Sequence, residues 1–240
     1  MKKLGHIAYN KTKGKGPTVV FLSGFRSDMK GNKAVYLEGI CKKLGLGFVR
    51  FDYSGHGQSD RDFRDCTIGM WVKDALAVID ELTTGKIILV GSSMGGWIAL
   101  LAALKRKSRV KGIVGIAAAP DFTQDLIWEE LDEFSRHKML RDGVLMMPNC
   151  YDDKQPYPIT LKLIEEGRKH LLLKKPINLN CPIRLLQGMK DEDVPYKTAS
   201  MIAAQVKSKN VEVHLLKNSG HRMSEPHELE LLKTKLLELI

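Results

Sequence analysis

The sequence predicts an α/β fold built on a mostly parallel, doubly wound sheet. Short apolar runs recur along the chain and alternate with stretches of helical periodicity. Two of these runs, residues 18–22 and 87–90, are almost wholly apolar, as are strands that are buried on both faces of a parallel sheet. Each run ends abruptly in a turn that contains glycine and serine. Because ligands of such sheets bind at the carboxyl ends of the strands, these turns are the expected place for a functional site.

The individual elements follow from hydrophobic periodicity and from stop signals. An edge strand is expected at residues 5–12, followed by a turn at residues 14–17. Further strands are expected at residues 18–22, 48–51, 87–90, 110–119, 182–186 and 211–216. Helices are expected at residues 32–44, 68–82, 97–104, 195–206 and 228–240, and Thr67 is the expected N-cap of the second.

The alternation of strands and helices stops between residue 121 and about residue 180. Two helical stretches, residues 122–137 and 159–170, are expected there, with no strand of the parallel type between them. We interpret the segment as a lid inserted over the strand ends of a single domain that spans residues 1–240. Three of its apolar side chains are candidates to line a substrate pocket, although for each one alone packing onto the body is the simpler interpretation. They are Trp128, Met146 and Met147.

Length and composition fit one soluble domain. The 240 residues are 43% hydrophobic, which is enough for one large core. No run of 18 or more apolar residues occurs, and no secretory h-region follows the N-terminal lysines. The four cysteines, Cys41, Cys66, Cys150 and Cys181, lie far apart, which favours free thiols in a reducing compartment. We therefore expect a soluble intracellular protein without a transmembrane segment.

The formal net charge of +10 raises the question of an anionic partner. The basic residues are scattered, with two dense clusters at residues 11–15 and 105–111. The second cluster follows a predicted helix, where cations are favoured by the negative end of the helix dipole. Neither cluster is interleaved with aromatic residues as stacking platforms for bases are. We expect no specific nucleic-acid partner, and the charge fits attraction to acidic substrates or lipid surfaces better.

The turn at residues 91–95, G-S-S-M-G, fits the pattern G-x-S-x-G between a buried strand and a helix. A strand that turns at once into a helix crowds its own backbone, and glycines relieve that crowding. Ser93 would then lie at a helix N-terminus, where unpaired N–H groups favour a developing negative charge. The alternative is a connection without chemistry, but the flanking strand and helix favour a nucleophile. The Met94 N–H and the Phe25 N–H are the candidate oxyanion donors.

Two later turns supply a candidate acid and a candidate base. Asp191 lies in the loop after the strand at residues 182–186, and Asp193 in the same loop is its rival. His221 lies in the loop after the strand at residues 211–216. A base that must reach across to a serine is expected in a loop of this kind. We favour Asp191 as the acid, because it occupies the position in the strand-end loop where a triad acid is expected; the alternative is that either residue is only a turn or cap residue.

Two other histidines are weaker candidates for the base. His214 lies in the middle of a predicted strand and is expected to be structural. His56 lies between two glycines in the loop D-Y-S-G-H-G-Q-S at residues 52–59. We expect a tight loop in which Asp52 and Ser54 bond the local backbone and His56 lies near the surface.

The chain order Ser93, Asp191, His221 is the order of α/β-hydrolase triads and differs from those of the two other well-known triad folds. In such a triad His221 would take the proton of Ser93, and Asp191 would hold the imidazole in the right tautomer. A serine at this position disfavours the dehalogenase and epoxide-hydrolase reactions, which use aspartate. No cluster has the spacing of metal ligands, and no cofactor is expected.

Several longer strings carry a family resemblance. They are R-F-D-Y-S-G at residues 50–55, V-G-S-S-M-G-G-W at 90–97, N-C-P-I-R-L-L at 180–186, G-M-K-D at 188–191 and H-R-M at 221–223. With these strings the chain resembles the α/β-hydrolase superfamily and, more narrowly, the mitochondrial abhydrolases that act as acyl-protein (palmitoyl) thioesterases and cleave acyl glucuronides, with their bacterial relatives. The resemblance covers nearly the whole chain. It implies that Ser93 is the nucleophile, Asp191 the acid and His221 the base.

The chain departs from the family pattern in two places. Ser23 and Gly24 replace the His-Gly that commonly precedes the oxyanion residue, here Phe25. No mitochondrial transit segment precedes Gly5. The second departure favours the bacterial cytoplasm as the expected location, with the mitochondrial matrix as the alternative for a processed chain.

Taken together, the motifs predict a serine hydrolase that cleaves carboxylic esters or thioesters of apolar acyl groups through an acyl-enzyme. Its substrate would be a small molecule or an acylated protein. Two alternatives stay open: a peptidase on the same scaffold, and a catalytically silent α/β-hydrolase that serves as a binding module.

Overall fold

A computed structural model describes residues 2–148 and 156–240. The first half contains β1 (Lys2–Leu4), β2 (Ile7–Thr12), β3 (Lys15–Leu22), α1 (Asn32–Lys43), β4 (Leu46–Phe51), a 3-10 turn (Phe63–Asp65), α2 (Ile68–Leu82), β5 (Ile87–Ser92), α3 (Met94–Lys105) and β6 (Val110–Ile116). The second half contains a π-helical turn (Thr123–Trp128), α4 (Glu133–Asp142), β7 (Val144–Met147), β8 (Tyr157–Thr160), α5 (Leu161–Gly167), a 3-10 turn (Arg168–His170), β9 (Ile183–Gly188), α6 (Lys197–Gln205), β10 (Val211–Leu216) and α7 (Pro226–Leu237).

Eight of the strands form one sheet in the order β1-β2-β4-β3-β5-β6-β9-β10. The β1/β2 and β2/β4 pairs are antiparallel, and all the other pairs are parallel. In β5 the side chains of Ile87 and Leu89 enter the core on one face of the sheet, and those of Ile88 and Val90 enter the core on the other. This burial on both faces explains why the run is wholly apolar. The predicted α/β fold class is confirmed.

Helices cover both faces of the sheet. Helices α1 and α7 pack on one face, and α2, α3 and α6 pack on the other. Helix α2 has the predicted bounds, and the Thr67 hydroxyl accepts the Met70 N–H at 3.4 Å as its cap. None of the helices within residues 2–148 and 156–240 is both long and apolar enough to cross a bilayer.

The N-terminal strands differ from the prediction. The edge strand is β1, which pairs with β2, so the predicted strand at residues 5–12 lies one place further in. Strand β3 already begins at Lys15, whose N–H donates to the Gly45 carbonyl at 2.8 Å. The turn predicted at residues 14–17 therefore lies mostly within a strand. A register shift between Lys15 and Val19 accommodates this irregular sequence.

The segment of residues 121–180 also differs in part. Its first predicted helix is split into the π-helical turn and α4, because the Asp132 carboxylate accepts the Ser135 N–H at 2.6 Å and starts a new helix there. Strands β7 and β8 form a separate antiparallel ribbon that was not predicted. In the described part of the segment no parallel strand occurs, as expected.

The two ends of this segment meet at Asp121, which is fully buried. Its carboxylate accepts the N–H groups of Leu172 and Leu173, each at 2.8 Å. The residue adopts a φ of +63°, a conformation that Asp tolerates better than most residues. These hydrogen bonds close the segment at its base.

The described cysteines are free thiols, as expected. Burial raises the pKa of Cys41 to about 12 and that of Cys66 to about 11, so neither is a reactive thiolate at neutral pH. Cys150 lies outside the described residues.

The loop at residues 52–59 is tight, but the prediction that His56 lies near the surface is wrong. The residue is 4% exposed, because its ring packs edge-on against Trp71 and Phe63 at centroid distances of 5.2 and 5.3 Å. The Asp52 carboxylate accepts the Gln58 N–H at 2.8 Å, a local bond as predicted. The Ser54 hydroxyl instead contacts the Nε2 atom of His6 at 2.8 Å.

The buried His56 predicts a loss of stability in mild acid. Burial lowers its pKa from 6.5 to about 4, so between these values the unfolded chain binds a proton that the folded chain does not. The free energy of unfolding therefore falls as the pH falls. From pH 7 to pH 5 the contribution of this group amounts to about 2 kcal/mol.

Urea unfolding of the wild type and of His56→Gln at both pH values measures this contribution. The Gln variant carries all the other titrating groups of the wild type. Between pH 7 and pH 5 its free energy of unfolding should therefore fall by about 2 kcal/mol less than that of the wild type. Equal losses in the two proteins would contradict a neutral, buried His56.

Candidate active site

Ser93 occupies the reversal between β5 and α3. Its φ of +54° and ψ of −122° form a strained backbone conformation that is rare for a residue with a side chain. The reversal is fixed by backbone hydrogen bonds: the Ser93 N–H donates to the Ile116 carbonyl at 2.9 Å, and the Ser93 carbonyl accepts the Gly96 N–H at 2.8 Å. The side chain is neither buried nor fully exposed.

The glycines on either side of Ser93 are required by close backbone contacts. A Cβ atom at Gly91 would lie 2.3 Å from the Gly95 carbonyl oxygen, and a Cβ atom at Gly95 would lie 2.0 Å from the Leu22 carbonyl oxygen. Real Cβ atoms do not approach backbone oxygens so closely. The predicted crowding of the turn, and its relief by glycine, are confirmed.

His221 and Asp191 form a hydrogen-bonded pair at the same edge of the sheet. The Nδ1 atom of His221 lies 2.9 and 3.0 Å from the two carboxylate oxygens of Asp191. Because a carboxylate can only accept, Nδ1 carries the proton and the lone pair of the imidazole lies on Nε2. The Asp191 side chain is fully buried, and the His221 side chain is 16% exposed.

The loop after β9 holds the Asp191 carboxylate in place. The N–H groups of Asp193 and Val194 donate to one of its oxygens at 3.0 and 2.8 Å. The side-chain amide of Gln187 donates to the other oxygen at 2.8 Å. Sequence reasoning missed Gln187, although a polar residue directly after the apolar pair at residues 185–186 of a buried strand was a usable signal.

Lys33 is a second residue that sequence reasoning missed. Its ammonium group donates to the carbonyl of Arg222 and lies 3.4 Å from the Ser224 hydroxyl, so α1 is tied to the loop that carries His221. Burial lowers the pKa of Lys33 to about 8. No periodicity or motif in the sequence indicates this contact, because the two segments are 189 residues apart.

Ser93 and His221 line the same cavity, which has a volume of about 780 Å³. Its apolar wall comes from both the body and the 121–180 segment. This wall includes Phe25, Ala119, Phe122, Leu126, Ile127, Met147, Tyr157 and Val194. Among the described residues, Ser93 and His221 share the cavity without a hydrogen bond between them. Catalytic hydrogen bonds of this kind often tighten only when substrate is bound.

The two candidate oxyanion donors also lie on this cavity. Gly24 packs against Ser93, so that a Cβ atom at Gly24 would lie 3.4 Å from the Ser93 Cβ atom. Phe25 follows Gly24, and Met94 follows Ser93 at the first position of α3. Neither the Phe25 N–H nor the Met94 N–H donates a hydrogen bond to another residue of the described chain. Both are therefore free to bind an oxygen atom in the cavity.

The three pocket residues predicted from the sequence have different positions. Met147 lies on the cavity wall. Met146 is 47% exposed and lies outside the described lining, because neighbouring residues of β7 point to opposite faces of the ribbon. Trp128 also lies outside that lining, with the guanidinium groups of Arg168 and Arg136 over its ring at 4.8 and 5.8 Å. Of the three, Met147 alone is among the described residues that line the cavity.

Among the described residues one group has possible metal ligands close together. It consists of Asp191, Asp193 and His221, with ligand atoms within 4.8 Å of one another. The Asp191 oxygens and the His221 Nδ1 atom are already engaged in the hydrogen bonds described above, so this group suits a proton-relay pair better than a metal site. A further concavity of about 490 Å³, lined by Lys86, Lys107 and Lys111 among others, lies at the opposite edge of the sheet.

Comparisons with known proteins agree with this geometry. Residues 17–147 match the family model of the alpha/beta hydrolase fold. The chain is 43% identical over 239 residues to the palmitoyl-protein thioesterase ABHD10, mitochondrial, of Bos taurus, covering 99% of this chain and 77% of the relative. The human protein of that name is 43% identical over 237 residues, with the same coverage.

Solved structures give the same result. The alpha/beta hydrolase domain-containing protein 10 from mouse superimposes with a TM-score of 0.91 at 40% identity, covering 97% of this chain and 93% of that one. A protein from Agrobacterium vitis S4 superimposes with a TM-score of 0.94 at 39% identity, covering 98% and 93%. The chain belongs to the alpha/beta-hydrolase family.

Proposed function

We propose that this enzyme is a serine hydrolase that cleaves carboxylic esters or thioesters of apolar acyl groups, with Ser93, His221 and Asp191 as its triad. The observation that carries the proposal is the convergence of a strained serine, a histidine paired with a buried carboxylate and two unpaired N–H groups on one cavity. The relatives named palmitoyl-protein thioesterase support ester or thioester hydrolysis.

Acylation begins with attack of the Ser93 oxygen on the carbonyl carbon of the substrate. The Nε2 atom of His221 takes the serine proton as the Ser93 Oγ–C bond forms, and the buried Asp191 carboxylate stabilises the resulting imidazolium. The proton then moves from Nε2 to the leaving thiolate or alkoxide as its bond to the carbonyl carbon breaks. The acyl group stays on Ser93 as an ester.

The tetrahedral intermediate carries its negative charge on the former carbonyl oxygen. The N–H groups of Phe25 and Met94 would bind this oxygen, and the N-terminus of α3 adds the positive end of its dipole. Deacylation repeats the sequence with water: the water oxygen attacks the acyl carbonyl carbon as His221 takes one of its protons, and the Ser93 Oγ–C bond then breaks as Ser93 takes that proton. The carboxylic acid is released. These steps use side chains and backbone N–H groups of this chain, together with water.

The apolar wall of the cavity supports the proposal that the enzyme binds the apolar acyl group of its substrate. The 121–180 segment contributes Phe122, Leu126, Ile127, Met147 and Tyr157 to its wall, and we propose that this segment is a lid within a single domain. The finer proposal is hydrolysis of acylated proteins or of acyl glucuronides. The mitochondrial names of the relatives fit the matrix as the location, and the bacterial cytoplasm stays a prediction.

Removal of the nucleophile is the first test of the proposed function. Ser93→Ala is expected to lower kcat/KM for p-nitrophenyl and acyl thioester substrates by about 1,000-fold or more, because no acyl-enzyme can form. The same protein should no longer react with a fluorophosphonate probe. Steady-state assays and mass spectrometry of the labelled protein measure both effects.

The matched control is Ser200→Ala, which removes an exposed serine on α6. It should keep wild-type activity and labelling. His221→Ala should react with the probe far more slowly than the wild type. A folded wild type that is not labelled at Ser93, or labelling that survives His221→Ala unchanged, would favour the silent binding module and contradict the proposed triad.

Acyl-chain preference is the second test, because the wall is apolar. Medium and long acyl esters and thioesters are expected to outperform acetyl substrates. Met147→Trp narrows the cavity and should lower kcat/KM for long chains by about tenfold, which corresponds to about 1.4 kcal/mol, while acetyl substrates change little. A series of p-nitrophenyl esters and acyl-CoA thioesters of increasing length measures this preference.

Met146→Trp is the control, since it makes the same substitution at the adjacent, outward-facing position of β7. This variant should keep the wild-type profile of chain lengths. A wild type that prefers acetyl substrates, or equal effects of the two Trp variants, would contradict the acyl pocket.

A further inference from the structure

His56 is buried next to the oxyanion loop, and both of its ring nitrogens contact backbone groups. The Nδ1 atom lies 3.1 Å from the Ser54 carbonyl oxygen, and the Nε2 atom lies 3.1 Å from the Arg26 nitrogen. A carbonyl oxygen can only accept, and a backbone N–H can only donate. The two contacts therefore require the same tautomer, in which Nδ1 carries the proton and Nε2 offers its lone pair.

The Arg26 N–H needs this acceptor because of the shape of the loop. Arg26 has a φ of +55°, and the next N–H, that of Ser27, already donates to the Gly24 carbonyl at 3.1 Å in a tight turn. A left-handed conformation costs a residue with a side chain about 1–2 kcal/mol, so something must hold the loop in it. Two hydrogen bonds of the described chain hold it there: the turn bond from the Ser27 N–H to the Gly24 carbonyl, and the bond from the Arg26 N–H to His56.

This bond acts on Phe25 through the covalent chain. The Arg26 N–H belongs to the peptide plane that follows the Phe25 Cα atom, and the Phe25 N–H belongs to the plane that precedes it. Fixing the first plane restricts rotation at Phe25. The direction of the Phe25 N–H, and with it the distance to an oxyanion in the cavity, then depends on His56.

Aromatic packing keeps the His56 ring from turning away. The rings of Trp71, Phe63 and Tyr53 surround it edge-on at centroid distances of 5.2, 5.3 and 5.9 Å. The indole N–H of Trp71 donates to the Ser54 carbonyl at 3.0 Å, so the acceptor of the Nδ1 proton is itself held. Burial lowers the pKa of His56 to about 4, which leaves the Nε2 lone pair available at neutral pH.

The same contacts exclude His56 as a rival to His221 for the role of base. Both of its nitrogens are engaged with the backbone, and it lies outside the described lining of the cavity that holds Ser93. His56 therefore acts on the reaction only through other residues.

We propose that His56 is a positioning residue, whose neutral Nε2 atom accepts the Arg26 N–H and thereby holds the Phe25 N–H toward the oxyanion. This inference rests on the proposed function, because it assigns a role in the same acyl-transfer reaction. It predicts that the loss of the acceptor weakens binding of the tetrahedral state and leaves binding of the ground state unchanged.

The test compares His56→Phe, which keeps an aromatic ring and lacks an acceptor, with His56→Gln, which keeps an acceptor on a longer amide. Each protein is titrated to completion with a fluorophosphonate to count active sites, and its thermal unfolding is recorded. The assays measure kcat and KM for a medium-chain acyl thioester. They also measure the affinity for a trifluoromethyl ketone, which mimics the tetrahedral state, and for a non-hydrolysable thioether, which mimics the ground state.

For His56→Phe we expect kcat to fall by about 30-fold, with KM within about twofold of the wild-type value. This fall in kcat is somewhat smaller than the fall caused by removal of a whole oxyanion donor. The affinity for the ketone should fall by a similar factor, and the affinity for the thioether should not change. His56→Gln should recover most of the loss. The inference is overturned by a Phe variant that keeps its affinity for the ketone, by equal losses for ketone and thioether, or by a Gln variant no better than Phe.

The wild type in the same assay separates this inference from the proposed function. If the wild type hydrolyses no ester or thioester, the proposed function fails. If the wild type is active and depends on Ser93 but the Phe variant is unaffected, the role of His56 fails alone.

Discussion

The close approach of the backbone segments around Ser93 is the constraint on which the rest of the site depends. With Gly91 and Gly95 the chain can leave β5 and enter α3 beside the end of β3, at distances that a Cβ atom would forbid. The loop after β3 is thereby brought close to Ser93, where a Cβ atom at Gly24 would lie 3.4 Å from the Ser93 Cβ atom. The proposed nucleophile and one of the proposed oxyanion donors are thus placed relative to each other by the packing of backbone on backbone.

Parallel strand pairing supplies the second part of the arrangement. Strands β5, β6, β9 and β10 lie side by side and run in the same direction, so the loops that follow them open at the same edge. Asp191 and His221 are 30 residues apart in the sequence, yet neighbouring loops bring them into hydrogen-bonding contact. The carboxylate is fully buried and its acceptors are satisfied by the backbone and by Gln187, which makes the pair rigid.

Local signals in the sequence were sufficient for most strands of the central sheet, the helix α2 with its cap, the turn at Ser93 and the choice of Asp191 and His221 as candidates, but not for β1 or for the β7/β8 ribbon. These features depend on periodicity, on turn chemistry and on chain order. The position of His56 could not be read in this way, because its burial depends on Phe63 and Trp71, which follow later in the chain and pack around it in three dimensions. The choice between Met146 and Met147 required the pairing of β7 with β8, and four residues without clear alternation did not reveal that pairing.

The closure of the 121–180 segment at Asp121 has an evolutionary consequence. The segment begins at Asp121, and the Asp121 carboxylate also binds the N–H groups of Leu172 and Leu173 near its other end. These two attachment points can stay the same when the residues between them change. Natural variation in length or composition inside that span can remodel the proposed acyl pocket without a change at Asp191 or His221. The range of substrates can therefore change by replacement of the residues between the two attachment points, with little effect on the proposed catalytic residues.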